Sequence, residues 1–316
     1  MRTNDRPLSW WLTLLAVVLL LPGCQSAGPS DKPVIALIMK SLANEFFLTM
    51  ERGAQEHQKQ HGGDYQLITN GIKDELDVSR QVDLVEQMIG QRVQAIVIAP
   101  ADSKALVAVC KKAQDAGIVV VNIDNQFDAE VLAAQDVKIP FIGPDNRKGA
   151  RLAGEQLAKK LQPGDKVAII EGVPSAFNAQ QRKLGFEDAL RTAKLTLASS
   201  QSAGWEMSKA NQVVAALIAE QPDLKGICCA NDSMALGAVA ALQEAGKSQQ
   251  VQVVGFDNIS AVRQLVKDGK VLATVDQHGD RLAVFGIEYA LEILRNKTAP
   301  ADRETPVDLI TADKLK

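Results

Sequence analysis

The sequence predicts an α/β fold of two lobes, each a doubly wound parallel sheet, joined by a three-stranded hinge. Three observations predict it. From residue 34 almost to the end, apolar runs of strand length alternate with segments of helical spacing. Those runs are apolar throughout, with no polar alternation, as parallel strands covered on both faces require. The series pauses over residues 124–139 and then repeats with the same construction, in a chain of 316 residues that exceeds a comfortable single core.

Val34 opens a continuous apolar strand over 34–39, and Phe47, Met50, Gly53 and Ala54 give 46–61 helical spacing. Strand 65–69, helix 75–90, strand 95–99, helix 103–116 and strand 118–123 continue a βαβ series, whose right-handed crossovers wind the sheet. Residues 124–139 form a long connection with room for one short helix. Residues 140–143 make one more strand, and Pro144 opens a helix over 147–161. The second series runs through strand 166–171, helix 179–192, strand 195–199, helix 207–220, strand 226–230, helix 233–245 and strand 252–256. Beyond Asp257 come helix 261–267, strand 271–275, a long helix over 282–295 and an extended tail at 307–310. By segment count that long helix belongs back on the first lobe. The chain then crosses near Gly143, near Gln277 and again in the tail, dividing it into lobes of 34–143 plus 278–305 and 144–277 plus 306–316. Parallel crossings of this kind restrict relative motion to opening and closing.

The N-terminus carries a different signal. Arg2 and Arg6 precede an apolar run over 8–21 that ends Leu21-Pro22-Gly23-Cys24. A basic start, an apolar stretch short for a bilayer and small residues before the cut make a secretory signal peptide over 1–23. Its ending resembles a bacterial lipobox, in which Cys24 is acylated and becomes the first mature residue. Residues 24–33 are then a polar tether rich in Ser, Gly and Pro, and the domain belongs in the periplasm or cell envelope, touching membrane only through its anchor. Cleavage leaves Cys110, Cys228 and Cys229. An odd number with two adjacent suits buried core residues better than a disulfide framework, and no Cys/His spacing suits zinc.

Composition excludes several function classes. Hydrophobic residues are 46% and charged residues 23% of the chain, with a formal net charge of -3 and no Lys/Arg cluster, so nucleic acid is not an expected partner. His57 and His61 lie four apart on one helix but lack the Glu of an HExxH metal site. No GxSxG, GxxxxGK[ST] or GxGxxG motif follows any strand, so neither an enzyme nor a cofactor is expected.

What recurs is a set of polar and aromatic residues at strand carboxyl ends, where open α/β sheets hold ligands. Asn44, Phe46 and Phe47 follow the first strand within the heptapeptide SLANEFF. Asp124 and Asn125 follow VVVNI, Arg182 follows the loop VPSAFNAQ, and Trp205 lies after Gly204. Asn231 ends the strand of GICCANDSMALG, Asp257 ends another, and Gln277 ends the last. Carboxylates, amides and a guanidinium bond adjacent hydroxyls in pairs, while aromatic faces cover the C–H surface of a ring, which is the need of a neutral polyhydroxyl ligand. Plainer roles stand beside these. Asn231 and Asp257 can cap helices, Phe46 or Phe47 can be core, and Arg182 can pair with Glu187. Asp232 can cap a helix and hold Asn231 without touching ligand, and Asn70 and Asp102 are capping or lip residues.

The stretches SLANEFF, QRKLGFEDAL, ANDSMALGAVAALQEAGK, VVGFDN and ATVDQ, with the Asp after the fourth strand, resemble the periplasmic sugar-binding proteins of the ribose-binding type. These are type I periplasmic binding proteins, sharing their fold with LacI-like repressor cores. The repressors' DNA-binding helix-turn-helix is replaced here by the signal. The resemblance covers nearly all of 34–310. It implies that Phe46 and Phe47 on one lobe and Trp205 on the other sandwich a sugar ring, while Asn44, Asp124, Arg182, Asn231, Asp257 and Gln277 bond its hydroxyls. It further implies an ABC importer, permease with ATPase, as partner to a monomeric binding protein, and in some members a chemoreceptor. A lipoprotein that senses ligand and docks a chemoreceptor or sensor kinase without transport is the alternative function. Ribose-binding proteins usually carry Arg where this chain has Asn125. The loss of a bidentate donor worth about 1.5–3 kcal/mol argues against assuming ribose itself and leaves a different pentose, a hexose or a sugar alcohol open as ligand.

Overall fold

The computed structural model describes residues 1–3, 32–297 and 301–315. Cys24 lies outside the described residues, as do the expected signal segment and tether apart from 1–3 and 32–33. Residues Lys32–Lys316 form one compact unit built on two six-stranded sheets.

The first series is β1 (Val34–Ser41), α1 (Glu45–Gln60), β2 (Gln66–Ile72), α2 (Val78–Gly90), β3 (Ala95–Ile98), α3 (Val107–Asp115), β4 (Val119–Ile123), α4 (Ala129–Ala134) and β5 (Phe141–Pro144). The second is α5 (Asn146–Ala158), β6 (Lys166–Glu171), α6 (Phe177–Thr192), β7 (Thr196–Ser202), α7 (Met207–Glu220), β8 (Leu224–Cys229), α8 (Asp232–Glu244), β9 (Gln252–Val254), α9 (Ser260–Lys267) and β10 (Ala273–Asp276). The chain closes with α10 (Gly279–Asn296), β11 (Arg303–Thr305), β12 (Asp308–Thr311) and a short 3-10 turn.

The sheets have matching orders, β11-β5-β4-β3-β1-β2 and β12-β10-β9-β8-β6-β7. All pairings are parallel except β10 with β12. β1 is central to the first sheet: Ala36 stands level with Ile68 on one side and Ile96 on the other. Its residues are buried from Ile35 onward, which is why the strand is apolar throughout. The edge strands β2 and β7 are only half covered and read TNG and SSQS where a central strand would be aliphatic.

Helices cover both faces of the first sheet. Phe46, Phe47, Met50 and Ala54 of α1 pack with Leu282, Ala283 and Ile287 of α10 on one face. Leu84, Val85 and Met88 of α2 pack with Val107 and Cys110 of α3 on the other. On the second sheet α5 pairs with α6, and α7 with α8. The chain passes from the first sheet to the second after β5, returns after β10 to place α10 on the first, and passes once more between β11 and β12.

Several boundaries depart from the sequence pattern, α3 starting at Val107 instead of 103 and α10 at Gly279 instead of 282 among them. β2 runs on to Ile72 because Asn70 and Gly71 continue its ladder beside Ile38 and Met39. α2 starts at Val78, behind the cap Asp77, so Glu75 lies in the preceding turn. α6 starts at Phe177, which brings Asn178 into its first turn. β11, unexpected from sequence, adds to β5 in parallel, with Phe141 N–H held by Asp302. The cysteines 110, 228 and 229 are free and buried, and burial pushes the Cys110 thiol up to about 12 and raises those of Cys228 and Cys229 well above the ordinary thiol range. No helix among the described residues is long and apolar enough to cross a membrane.

Candidate ligand-binding cleft

The carboxyl ends of the two sheets face each other across a small cavity. The first lobe contributes Lys40, Asn44, Phe46, Phe47, Glu75 and Asp124 to its wall. From the second come Asn178, Arg182, Trp205, Asn231 and Asp257, with Gln277 from the passage after β10. Every residue expected from the sequence is there except Asn125.

Local backbone geometry aims these side chains. Asn44 caps α1 by accepting from Phe46 N–H at 3.0 Å, which starts the helix with both phenylalanines on its first turn. Their rings meet edge to face, 5.1 Å apart, and Phe46 lies so close to Gly279 that a Cβ there would stand 2.6 Å from its ring. Asp124, Trp205 and Asp257 have positive φ angles of 61°, 73° and 115°. Such conformations are costly for residues other than glycine and collect where function over-determines the backbone. Trp205 is 6% exposed and rests on Gly172, where a Cβ would lie 2.2 Å from its indole.

Two ion pairs lie inside the cleft. Lys40 Nζ lies 2.9 Å from Asp124 Oδ2. Arg182 donates from Nε to Asn146 at 2.8 Å, and from Nη1 to Ala230 O at 2.8 Å and to Asp257 at 3.3 Å. Its guanidinium covers the Phe256 ring at 3.7 Å, and it makes these contacts in place of a surface pairing with Glu187. Gln277 Nε2 donates to Asp257 Oδ1 at 2.7 Å. Burial pushes the Asp257 carboxyl up to about 7 against the opposing pull of Arg182. Burial also raises Glu75 to about 7, with Lys40 opposing and Asp124 adding.

Asn231 caps its helix and also borders the cavity. Its Oδ1 accepts from Met234 N–H at 2.9 Å and so caps α8, while its Nδ2 donates to Trp205 O at 3.3 Å and it still borders the cavity. Asp232 is structural: it accepts from the Thr274 hydroxyl at 2.8 Å and from Ile259 N–H at 3.0 Å. Asn125 departs from the expectation. It is 0% exposed, its Nδ2 donates to Pro100 O, and its Oδ1 accepts from Ser103 and from Asn178 N–H. The left-handed turn at Asp124 sends these neighbours apart, Asp124 into the cavity and Asn125 away from it. Asp102 accepts from Lys104 and Ala105 N–H, as a loop cap does.

Sequence reasoning missed Lys40, Glu75 and Asn178. A Lys closing an otherwise aliphatic strand was the one available signal; the other two needed the helix starts described above.

Four buried polar atoms of lining residues have no hydrogen-bond partner among the described residues: Trp205 Nε1, Asn178 Oδ1, Gln277 Oε1 and Asp124 Oδ2, the last of which is ion-paired with Lys40. One is a donor and three are acceptors, and an orphaned buried polar group costs about 1–3 kcal/mol. A hydroxyl offers a donor and acceptor lone pairs at once, so adjacent hydroxyls satisfy such a mixed set. No group of His, Cys, Asp and Glu among the described residues is arranged to hold a metal ion.

Two α/β lobes with matching sheets, three chain passages and a polar, aromatic-walled cavity between them define a bilobal small-molecule binding protein. The chain belongs to the periplasmic binding protein domain family, whose model matches residues 35–298. It is 56% identical over 311 residues to the D-ribose/D-allose-binding protein of Pseudomonas aeruginosa, covering 95% of this chain and 97% of that one. An ABC transporter solute binding protein from Burkholderia multivorans superposes with a TM-score of 0.87 at 55% identity, over 89% of this chain and all of the other. The solute binding protein of Actinobacillus succinogenes with bound D-allose gives 0.86 at 35% identity, over 90% of this chain and 99% of that one.

Proposed function

We propose that the protein binds a single monosaccharide of the ribose or allose kind between its lobes and delivers it to the permease of an ABC importer. The unpartnered Trp205, Asn178 and Gln277 atoms carry this reading, because they line a small cavity together with other polar and aromatic groups. Phe46 and Phe47 cover one side of the ring and Trp205 the other. Asn44, Lys40 and Asp124 bond hydroxyls from the first lobe, and Arg182, Asn178, Asn231, Asp257 and Gln277 from the second. Only the closed arrangement makes both sets of contacts, so ligand draws an open ensemble towards it. The lobes, 34–143 plus 278–305 and 144–277 plus 306–316, move about the three passages. Lys40 supports a hexose alongside a pentose: it gives the first lobe a cationic donor beside Asp124, which offsets the absence of Arg at Asn125.

We further propose that residues 1–23 are removed, that Cys24 is acylated, and that 24–33 tether the monomer to the cell envelope. The relatives' names favour import over sensing.

Thermal shift and calorimetry against D-ribose, D-allose, other pentoses and hexoses, and myo-inositol test the ligand class, with mass spectrometry of whatever co-purifies. Micromolar affinity, about -8 kcal/mol, for at least one monosaccharide is expected. Stabilisation by none of them would sink the sugar reading.

A further inference from the structure

Asn125 and Ser103 face the second lobe at a place where that lobe has left a helix uncapped. α6 begins after Ala176, which offers no side-chain hydrogen bond to the helix's first N–H groups. Such groups need an outside acceptor. They find it on the other lobe: Phe177 N–H donates to Ser103 Oγ at 2.9 Å, and Asn178 N–H donates to Asn125 Oδ1 at 3.1 Å. The two acceptors brace each other, since Ser103 Oγ donates to Asn125 Oδ1 at 3.3 Å, and Asn125 is anchored by its Nδ2 on Pro100 O at 2.9 Å. The device occurs twice. α9 follows Ile259, again without a capping side chain, and its Ser260 N–H donates to Glu45 Oε1 of the first lobe at 2.9 Å.

We propose that Ser103 and Asn125 are positioning residues for ligand binding, clasping the start of α6 across the cleft so that Asn178 and Arg182 are held opposite Asp124. The inference rests on the reading of the cleft as a sugar site. Asn178 and Arg182 are four residues apart and so share one face of α6, and both line the cavity. Asp124, the neighbour of Asn125, lines it from the other side. One strand end therefore reads the ligand with one residue and secures the opposing lobe with the next. Parting the lobes surrenders both clasp bonds to water. Their strength accordingly enters the closing equilibrium and through it the affinity, although neither side chain touches ligand.

The test compares Ser103→Ala, Asn125→Ala and Asn125→Asp with wild type, by calorimetry and stopped-flow Trp205 fluorescence with D-ribose and D-allose, and by thermal melts without sugar. Each alanine variant should bind about five- to tenfold more weakly, in proportion to a lost helix cap. The loss should appear as faster sugar release, with an unchanged melting temperature in the absence of sugar. Asn125→Asp keeps an acceptor at the helix N-terminus but surrenders the donor to Pro100 O, so it should bind more weakly than wild type and more tightly than Asn125→Ala. Wild-type affinity in both alanine variants overturns the clasp, and so does a loss fully mirrored in the sugar-free melting temperature. If wild type binds neither sugar, the ligand class fails and the clasp is judged by small-angle scattering. There the Ser103→Ala/Asn125→Ala variant should show a larger radius of gyration, and identical values overturn it.

Discussion

Lys40 and Asp124 lie 2.9 Å apart at the cleft, with side chains only 3% and 2% exposed. They come from strands that are not neighbours, since β3 lies between β1 and β4, so the pair ties two strand ends across a third. Breaking a buried pair from one side leaves an uncompensated charge. Lys40→Met should therefore destabilise the unliganded protein by about 3–5 kcal/mol. The double variant Lys40→Met/Asp124→Asn should recover most of that stability while still failing to bind sugar. Denaturant melts of the single and double variants measure the coupling; purely additive losses would show that the pair does not act as a unit.

Asp257 joins the second lobe's guanidinium to the amide of the chain passage, since Arg182 and Gln277 both donate to its Oδ1. Asp257→Asn keeps the volume and removes the charge. Affinity should fall roughly 10- to 100-fold, the equivalent of one charge-assisted hydrogen bond. Calorimetry and the melting temperature together check this, and unchanged affinity would move the ligand elsewhere.

Gly172 provides a way to disturb Trp205 without altering it. A methyl at residue 172 would stand 2.2 Å from the indole, so Gly172→Ala forces the ring out over the cavity. Sugar binding should weaken about tenfold or more. Trp205 is the only tryptophan after residue 11, so its emission reports the displacement directly. An unshifted spectrum with full affinity would mean that Trp205 does not wall the site.

The pH dependence of stability follows from Glu75. Burial raises this carboxyl from 4.5 to about 7, so between those values the folded protein keeps a proton that the unfolded chain has released. The resulting stabilisation is complete below the unfolded value and is lost as pH rises through about 7. The unliganded melting temperature should therefore fall between about pH 5 and pH 8, with on the order of 3 kcal/mol at stake. Glu75→Gln should flatten the profile, leaving the parallel contribution of Asp257, which is raised to about 7 as well. A variant profile as steep as wild type would exclude Glu75 as its source.

Much of this arrangement is legible in the sequence because it depends on short-range pattern. Uninterrupted apolar runs mark the central strands, and a polar residue closing such a run marks a strand end. Asn44, Asp124, Asn231 and Asp257 all follow from that rule. Lys40 closes its apolar run by the same rule, whereas Glu75 and Asn178 escape it for one reason: each sits beside a helix start that only tertiary contacts place. β1 extends past Met39 because β2 continues beside it, and α2 begins late because Asp77 captures its cap. α6 begins early because acceptors for its first N–H groups come from the other lobe. Asn125 shows the converse limit. Its position beside Asp124 suggests the same duty, but direction depends on the φ of Asp124, and no composition rule reveals a left-handed turn at an aspartate.

The buried thiols make chemical survival a matter of folding speed. Cys228 and Cys229 are adjacent, and like Cys110 they are shielded by packing alone. An envelope compartment that forms disulfides will oxidise any thiol it can reach. A chain that lingers unfolded there risks cross-links that the native fold has no geometry to accept, whereas the folded molecule carries reducing groups sealed from every oxidant. Heat denaturation should accordingly be reversible in the presence of a reductant and irreversible in air, with the tertiary structure acting as the protein's own antioxidant.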